Sequence, residues 1–129
     1  MAEAAAALIT GGTGALGSVV ARTFLAAGYP VAVTYRGASE WEALAASERA
    51  AVSGARLLGY QTDVTDEDSV RQTSSSVVAA FGRLDVLVHV AGGYAGGTPV
   101  EAVEARTVRS MIDTNLVSAF WAAKHVIPH

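Results

Sequence analysis

Thr10-Gly11-Gly12-Thr13-Gly14-Ala15-Leu16-Gly17 joins a short apolar run to a segment whose apolar residues recur at helical spacing. The run before it, Ala5 to Thr10, ends at the glycines as a buried parallel strand does. After it, Leu16, Val19, Val20, Phe24 and Ala27 fall on one face, with Ser18 and Arg22 off it, which predicts an amphipathic helix. Gly28 stands at the expected C′ position, where positive φ costs glycine little, and Pro30 introduces a second run, Val31 to Tyr35. The unit reads strand, glycine turn, helix, strand. A dinucleotide pyrophosphate needs a tight turn, a backbone it can approach without meeting Cβ atoms, and free N–H groups at a helix N-terminus. Gly11 suits the turn, Gly14 the close approach, and Gly17 tight helix–strand packing. The helix end adds roughly half a positive charge. A glycine-rich string alone equally describes a flexible loop; its place between a buried strand and a helix favours phosphate binding.

The alternation continues. Ser39 and Glu42 form a capping-box signature for a helix running towards Val52, closed by Gly54. Ala55 to Tyr60 is a third strand. Thr65 begins an acidic cluster, Asp66, Glu67 and Asp68, suited to the positive end of a helix dipole. Val70, Val77, Val78 and Phe81 mark the buried face of that helix and Gly82 its end. Asp85 to Val90 is a fourth strand. Thr98, Pro99 and Glu101 offer N-cap, N1 and N3 residues for a short turn, and a longer helix runs from about Thr107 to Val126 before Pro128. The expected fold class is α/β: one domain over residues 1–129, the first half of a Rossmann-like doubly wound parallel sheet. Its strand order should be 3-2-1-4, with right-handed crossovers and helices on both faces.

Composition limits the function. The 129 residues are long enough for a core but short for a complete doubly wound α/β domain. At 51% hydrophobic and 16% charged, the chain is a packed domain rather than a disordered one. A net charge of −3 without any basic stripe argues against nucleic acid. The absence of cysteine removes disulfides, thiolate metal sites and cysteine nucleophiles, and suits a reducing cytoplasm, the expected location. Met1 to Ile9 is alanine-rich but has no basic n-region or cleavage pattern, so no signal peptide is expected. No apolar run is long enough to cross a bilayer, so no membrane association is expected. His89, His125 and His129 are the only imidazoles, and Pro128 interrupts the one pair with ligand spacing; no metal site is expected.

Thr10 to Gly17 resembles the TGxxx(A/G)xG fingerprint of the short-chain dehydrogenases/reductases, with Ala15 in the small-residue slot. The similarity runs along the chain. Asp63-Val64 resembles the family's adenine contact, Phe81 to Val88 its approach to the fourth strand, and Ala91-Gly92 the latter half of its NNAG motif. Met111 to Phe120 resembles the helix carrying the family's structural and catalytic asparagine, here Asn115. Such landmarks in order are more specific than any one alone. The resemblance implies a nicotinamide dinucleotide held by Thr10, Gly11, Thr13, Gly14, Ala15, Leu16, Gly17, Tyr35, Arg36, Asp63, Val64, Ala91 and Gly92. It also implies hydride transfer to or from a small carbonyl or alcohol substrate. A site preferring NAD places an acid about 20 residues past the glycines, on the ribose 2′-hydroxyl. Thr34, Tyr35 and Arg36 stand there, and a guanidinium pairs with a 2′-phosphate. NADP(H) is therefore the expected cofactor and NAD(H) the alternative, unless Arg36 is simply a solvated surface residue.

Departures matter as much. His89 and Val90 replace the two asparagines of NNAG, removing amide hydrogen bonds near the central sheet. The loop from Val90 to Gly97 is similar to that of dihydropteridine reductases. Asn115 resembles the residue that supports a helix kink and a water in a proton relay; a polar residue bonding within its own helix is the other reading. The family's proton transfer uses a tyrosine, with a lysine four residues on that lowers its pKa. Tyr29, Tyr35, Tyr60 and Tyr94 lack that lysine, and Lys124 is the only one in the chain. The resemblance thus implies the cofactor-binding half of such a domain, inactive or nearly so alone, with an unpaired edge on its fourth strand that favours self-association. A homo-oligomer or a complementing C-terminal half would cover that edge. Two further readings stay open. One is a non-catalytic dinucleotide sensor or partner subunit. The other is the family's extended, epimerase-containing branch, whose TGxxGxxG spacing Gly11, Gly14 and Gly17 also fit, although Phe81 to Val88 favours the first reading.

Overall fold

Four short strands form the centre: β1 (Ala7–Thr10), β2 (Val31–Tyr35), β3 (Leu57–Gln61) and β4 (Val86–His89). They build one parallel sheet in the order β3-β2-β1-β4, as the sequence predicts. The computed structural model describes residues 4–129; Met1 to Glu3, part of the stretch read above for a targeting signal, lie outside the described residues. Strand residues alternate between two cores, because successive side chains of a strand point to opposite faces. Leu8, Ala32 and Leu87 face the helices α3 (Glu67–Phe81) and α5 (Ser118–Val126), against Val77, Phe81 and Val126. Ile9, Val31, Val33 and Val88 face the helices α1 (Ala15–Ala26) and α2 (Ala38–Ala51), against Ala21, Leu25 and Leu44. Leu8, Ile9, Val31 and Val33 are fully buried, each worth about 1.5–3 kcal/mol of apolar transfer. No helix among the described residues is long and apolar enough to cross a membrane.

The α1 face differs from the one hydrophobicity predicts. Gly17, Ala21 and Leu25 are the buried residues, whereas Leu16 and Val19 are 65% and 54% exposed. The helix lies so close to the glycine turn that a Cβ on Gly17 would overlap the Gly11 carbonyl oxygen. Small residues therefore line the contact and the larger ones are turned outward.

Helix starts also shift. Gly37, not Ser39, is the N-cap of α2, and no side chain caps it. Trp41 stacks on Tyr35 with ring centroids 5.7 Å apart and sits over Gly59, a seat that draws Ser39 into the first turn. The short turn after β4 is a 3-10 helix, Val100–Ala102, with Pro99 rather than Thr98 as N-cap, since Pro99 is still extended at ψ 145°. At α3 the sequence reading holds. The Asp66 side chain accepts from the Ser69 N–H at 3.2 Å, and Gly82 ends the helix at φ 78°.

The last long helix is three segments: α4 (Ala105–Ile112), a π turn over Asp113–Val117, and α5. Polar contacts fix α5 on α3. Ser74 donates to the His125 carbonyl at 2.6 Å, while Lys124 and His125 both reach Glu67. Hydrogen bonds from Lys124 first, then His125, hold the Glu67 carboxyl below its usual range. On the other face Arg22 joins α1 to the buried Glu48 of α2 through a forked pair at 2.7 and 2.9 Å.

Candidate functional site

The C-terminal ends of β1, β2, β3 and β4 open into a cleft of about 440 Å³, where ligands bind in open parallel sheets. The glycine turn forms its floor. The Gly11 N–H donates to Thr34 Oγ1 at 3.0 Å and the Gly12 N–H to the Thr34 carbonyl at 3.1 Å, so β2 holds the turn from one side. Gly11 takes φ 64°, and a Cβ there would come within 2.9 Å of the Ala91 backbone. Gly12, to which the sequence reading gave no role, backs onto the Val33 side chain; only its being glycine signalled this. Gly14 differs. A Cβ there would lie 3.4 Å from the nearest atom, an ordinary contact, so the fold alone does not require glycine at that point.

Gly14 is the N-cap of α1, whose first turn holds no acidic residue and no side-chain cap. The positive end of this helix has no acid in its own first turn, unlike that of α3, which carries Asp66, Glu67 and Asp68. Thr13, Ala15, Leu16 and Gly17 line the cleft with Gly11 and Gly14. The exposure of Leu16 is thus exposure to the cleft.

Tyr35, Arg36, Asp63 and Val64 form the far end, and Ala91 and Gly92 the wall after β4. Asp63 Oδ1 accepts from the Thr65 hydroxyl at 2.7 Å and the Thr65 N–H at 2.9 Å, and these bonds keep its carboxyl below the usual range. The Arg36 guanidinium makes no hydrogen bond or ion pair with any described residue. Glu40, which the sequence reading passed over, also faces the cleft and accepts from the Thr13 hydroxyl at 3.4 Å. Among the described residues no three His, Asp or Glu side chains group as metal ligands do.

Two expected site residues lie outside the lining. Thr10 is buried beneath the cleft, where its hydroxyl accepts from the Val90 and Ala91 N–H groups at 3.1 and 3.2 Å. With both lone pairs used, its proton goes to His89 Nδ1, 2.8 Å away. Ser118 donates to the Thr114 carbonyl at 2.5 Å, so it accepts the Nε2–H of His89 at 3.1 Å. The chain of bonds fixes one neutral tautomer, and burial lowers the His89 pKa. The hydrogen bonds lost with the NNAG asparagines are here supplied by an imidazole.

Asn115 sits in the π turn. Its Nδ2 donates to the Met111 and Gly93 carbonyls, both at 2.9 Å, and its Oδ1 accepts from the Gly93 N–H at 3.0 Å. The amide thereby satisfies a carbonyl where the helix ladder widens to the i→i+5 pattern and staples the loop after β4. The cleft is lined next to it by Thr114 instead.

The fold and cleft define a parallel α/β domain of the Rossmann type. The short chain dehydrogenase family model matches residues 5–129, and the chain belongs to that family. It is 34% identical over 121 residues to the serine 3-dehydrogenase of Agrobacterium fabrum, covering 94% of this chain and 47% of that one. Against the 3-oxoacyl-acyl-carrier-protein reductase of Staphylococcus aureus it is 34% identical over 122 residues, covering 95% and 49%. A Serratia marcescens short-chain dehydrogenase/reductase superposes with a TM-score of 0.90 at 28% identity, over 97% of this chain and 50% of that one. An actinorhodin polyketide ketoreductase variant solved with NADPH gives 0.89 at 29% identity, over 96% and 46%. The chain spans about half the length of the curated relatives it matches.

Proposed function

We propose that this chain is the dinucleotide-binding part of an NAD(P)-dependent oxidoreductase that moves hydride to or from a small carbonyl or alcohol. The N-terminus of α1, with no acid or side-chain cap in its own first turn and open to a cleft whose floor is Gly11 and Gly14, carries the reading, because it meets the needs of a pyrophosphate. The nicotinamide, when bound, supplies or accepts the hydride. The chain's own residues bind and orient it. Gly14, Ala15 and Leu16 face the phosphates, and the Asp63 carboxylate and Val64 backbone face the adenine. Ala91 and Gly92 bound the cleft on the β4 side, held there by Thr10 and Asn115. Asn115 acts by positioning the loop at Gly93, and a water relay through it belongs to the same proposal.

Arg36 favours NADP(H), while Glu40 offers a carboxylate acceptor through which NAD(H) also binds. A titration of the chain with NADPH and NADH, read by tryptophan quenching, tests this directly. Saturable binding that favours NADPH is expected. Arg36→Ala should weaken NADPH about tenfold, the scale of one charge-assisted pair, and leave NADH unchanged. An unaltered ratio of the two affinities would remove the basis for the preference.

None of Tyr29, Tyr35, Tyr60 and Tyr94 has a lysine four residues on. The proposal assigns the family's proton transfer to residues other than these four tyrosines, with a dinucleotide sensor as the second reading. Among the described residues β4 is an edge of the sheet, and an open edge pairs with whatever strand is offered. Sedimentation should show concentration-dependent self-association, reversed by a complementing half; a monomer at all concentrations would count against that use of the edge.

A further inference from the structure

Beyond the dinucleotide cleft lies a second, larger hollow of about 640 Å³ between the ends of β2 and β3 and the outer side of α4 and the π turn. The two share Arg36, Thr62, Asp63, Thr65 and Thr114, so the hollow extends the far end of the cleft. Arg106 and Arg109 enter it from α4. Arg106 is engaged with Glu104 at 2.6 Å. Arg109, like Arg36, makes no hydrogen bond or ion pair with any described residue. Two arginines from separate elements thus line one hollow, neither guanidinium in a hydrogen bond or ion pair with a described residue, together with Thr65, Ser110 and Thr114.

The opposing charges are few. Asp63 is bound to Thr65, and Asp113 lies one turn beyond Arg109 on the same wall. With Arg106 held by Glu104, the hollow sets the Arg36 and Arg109 guanidiniums against Asp63 and Asp113, and of these carboxylates Asp63 already accepts two bonds from Thr65. Guanidinium donors in a fixed fork match phosphate oxygens.

We propose that Arg109 joins Arg36 in a phosphate-binding subsite at this end of the cleft. Its occupant is a phosphate dianion, either the 2′-phosphate of the dinucleotide or a free phosphate. For the first of these sources the proposal rests on the dinucleotide reading.

The test compares wild type, Arg109→Ala and Arg106→Ala, each checked for an unchanged melt. NADPH and NADH are titrated with and without millimolar inorganic phosphate, and phosphate alone is titrated by calorimetry. If the 2′-phosphate is the occupant, Arg109→Ala weakens NADPH about tenfold and spares NADH, while Arg106→Ala changes neither. If a free phosphate is, wild type binds inorganic phosphate, Arg109→Ala does not, and the NADPH to NADH ratio is the same in both. Equal weakening of both dinucleotides, an Arg106→Ala effect as large as that of Arg109→Ala, or no response of either phosphate to Arg109→Ala overturns the proposal. A folded wild type that binds neither dinucleotide would defeat the cofactor reading alone, since the calorimetric comparison would still decide the subsite.

Discussion

Gly17→Ala should abolish measurable dinucleotide binding, a loss of at least about a hundredfold, and lower the stability of the domain by about 1–3 kcal/mol, the usual cost of overpacking. The added methyl would overlap the Gly11 carbonyl oxygen and come within 2.8 Å of Gly12 Cα. Neither side has room to yield. Gly11 is blocked behind by Ala91 and held in front by Thr34, and Gly12 is backed by Val33. Relief requires α1 to lift off the sheet, which carries its N-terminus away from the cleft. Gly14→Ala is the matched control, because its methyl would meet nothing closer than 3.4 Å. It should keep the wild-type melt and lose affinity only. Denaturant melts and NADPH titrations of both variants check this. A Gly17→Ala protein with wild-type stability and affinity would refute the account of why a glycine stands there.

His89 carries the second large effect. Its ring bridges the Thr10 hydroxyl and Ser118, and so the end of β1 and the start of α5. His89→Ala strands the Thr10 proton and leaves the buried Ser118 hydroxyl one partner short, at about 1–3 kcal/mol for an unsatisfied buried group. A dependence on pH accompanies it. Burial depresses the imidazole pKa in the folded chain, so between that value and the unfolded one near 6.5 the unfolded chain binds the extra proton. Stability from this group is therefore full above about pH 6.5 and is lost as pH falls through the folded pKa. Protonation would also set an N–H at Nδ1 against the Thr10 hydroxyl and break the chain of bonds. Urea melts from pH 8 to 5 should show wild type losing stability more steeply than His89→Ala, with the gap narrowing towards acid. Imidazole nitrogen shifts should report protonation on Nε2 only; parallel pH profiles, or the opposite tautomer, would sink the assignment.

The strand order and the place of the cleft were legible because they rest on punctuation: Gly11, Gly14, Gly28 and Gly82 sit where the chain must turn or approach closely. Twelve of the thirteen expected binding positions line one cleft, the exception being Thr10, which lies under it. What escaped depends on distances between elements. Hydrophobicity placed Leu16 and Val19 inward, since it registers apolar character and not how near α1 approaches the sheet. Ser39 had the right chemistry for a cap, but the seat of Trp41 moved the helix start. The π turn leaves no compositional mark, and Asn115 alone hinted at it through resemblance. A lone histidine replacing an asparagine read as a loss, because its partners, Thr10 and Ser118, are far from it in sequence.

The π turn also sets a phase. Each residue advances an α-helix by about 100°, so one extra residue over Asp113–Val117 changes which side of the downstream helix meets the sheet. Ahead of it no residue of α4 is buried; after it Ser118, Ala122 and Val126 all are. The turn works like an indexing notch between two gears, and shortening it by one residue would swing Ala122 and Val126 outward and bring their neighbours to the sheet. This stretch therefore tolerates changes of side chain far better than changes of length, so in related sequences insertions and deletions should gather in the loop after β4 and avoid the turn.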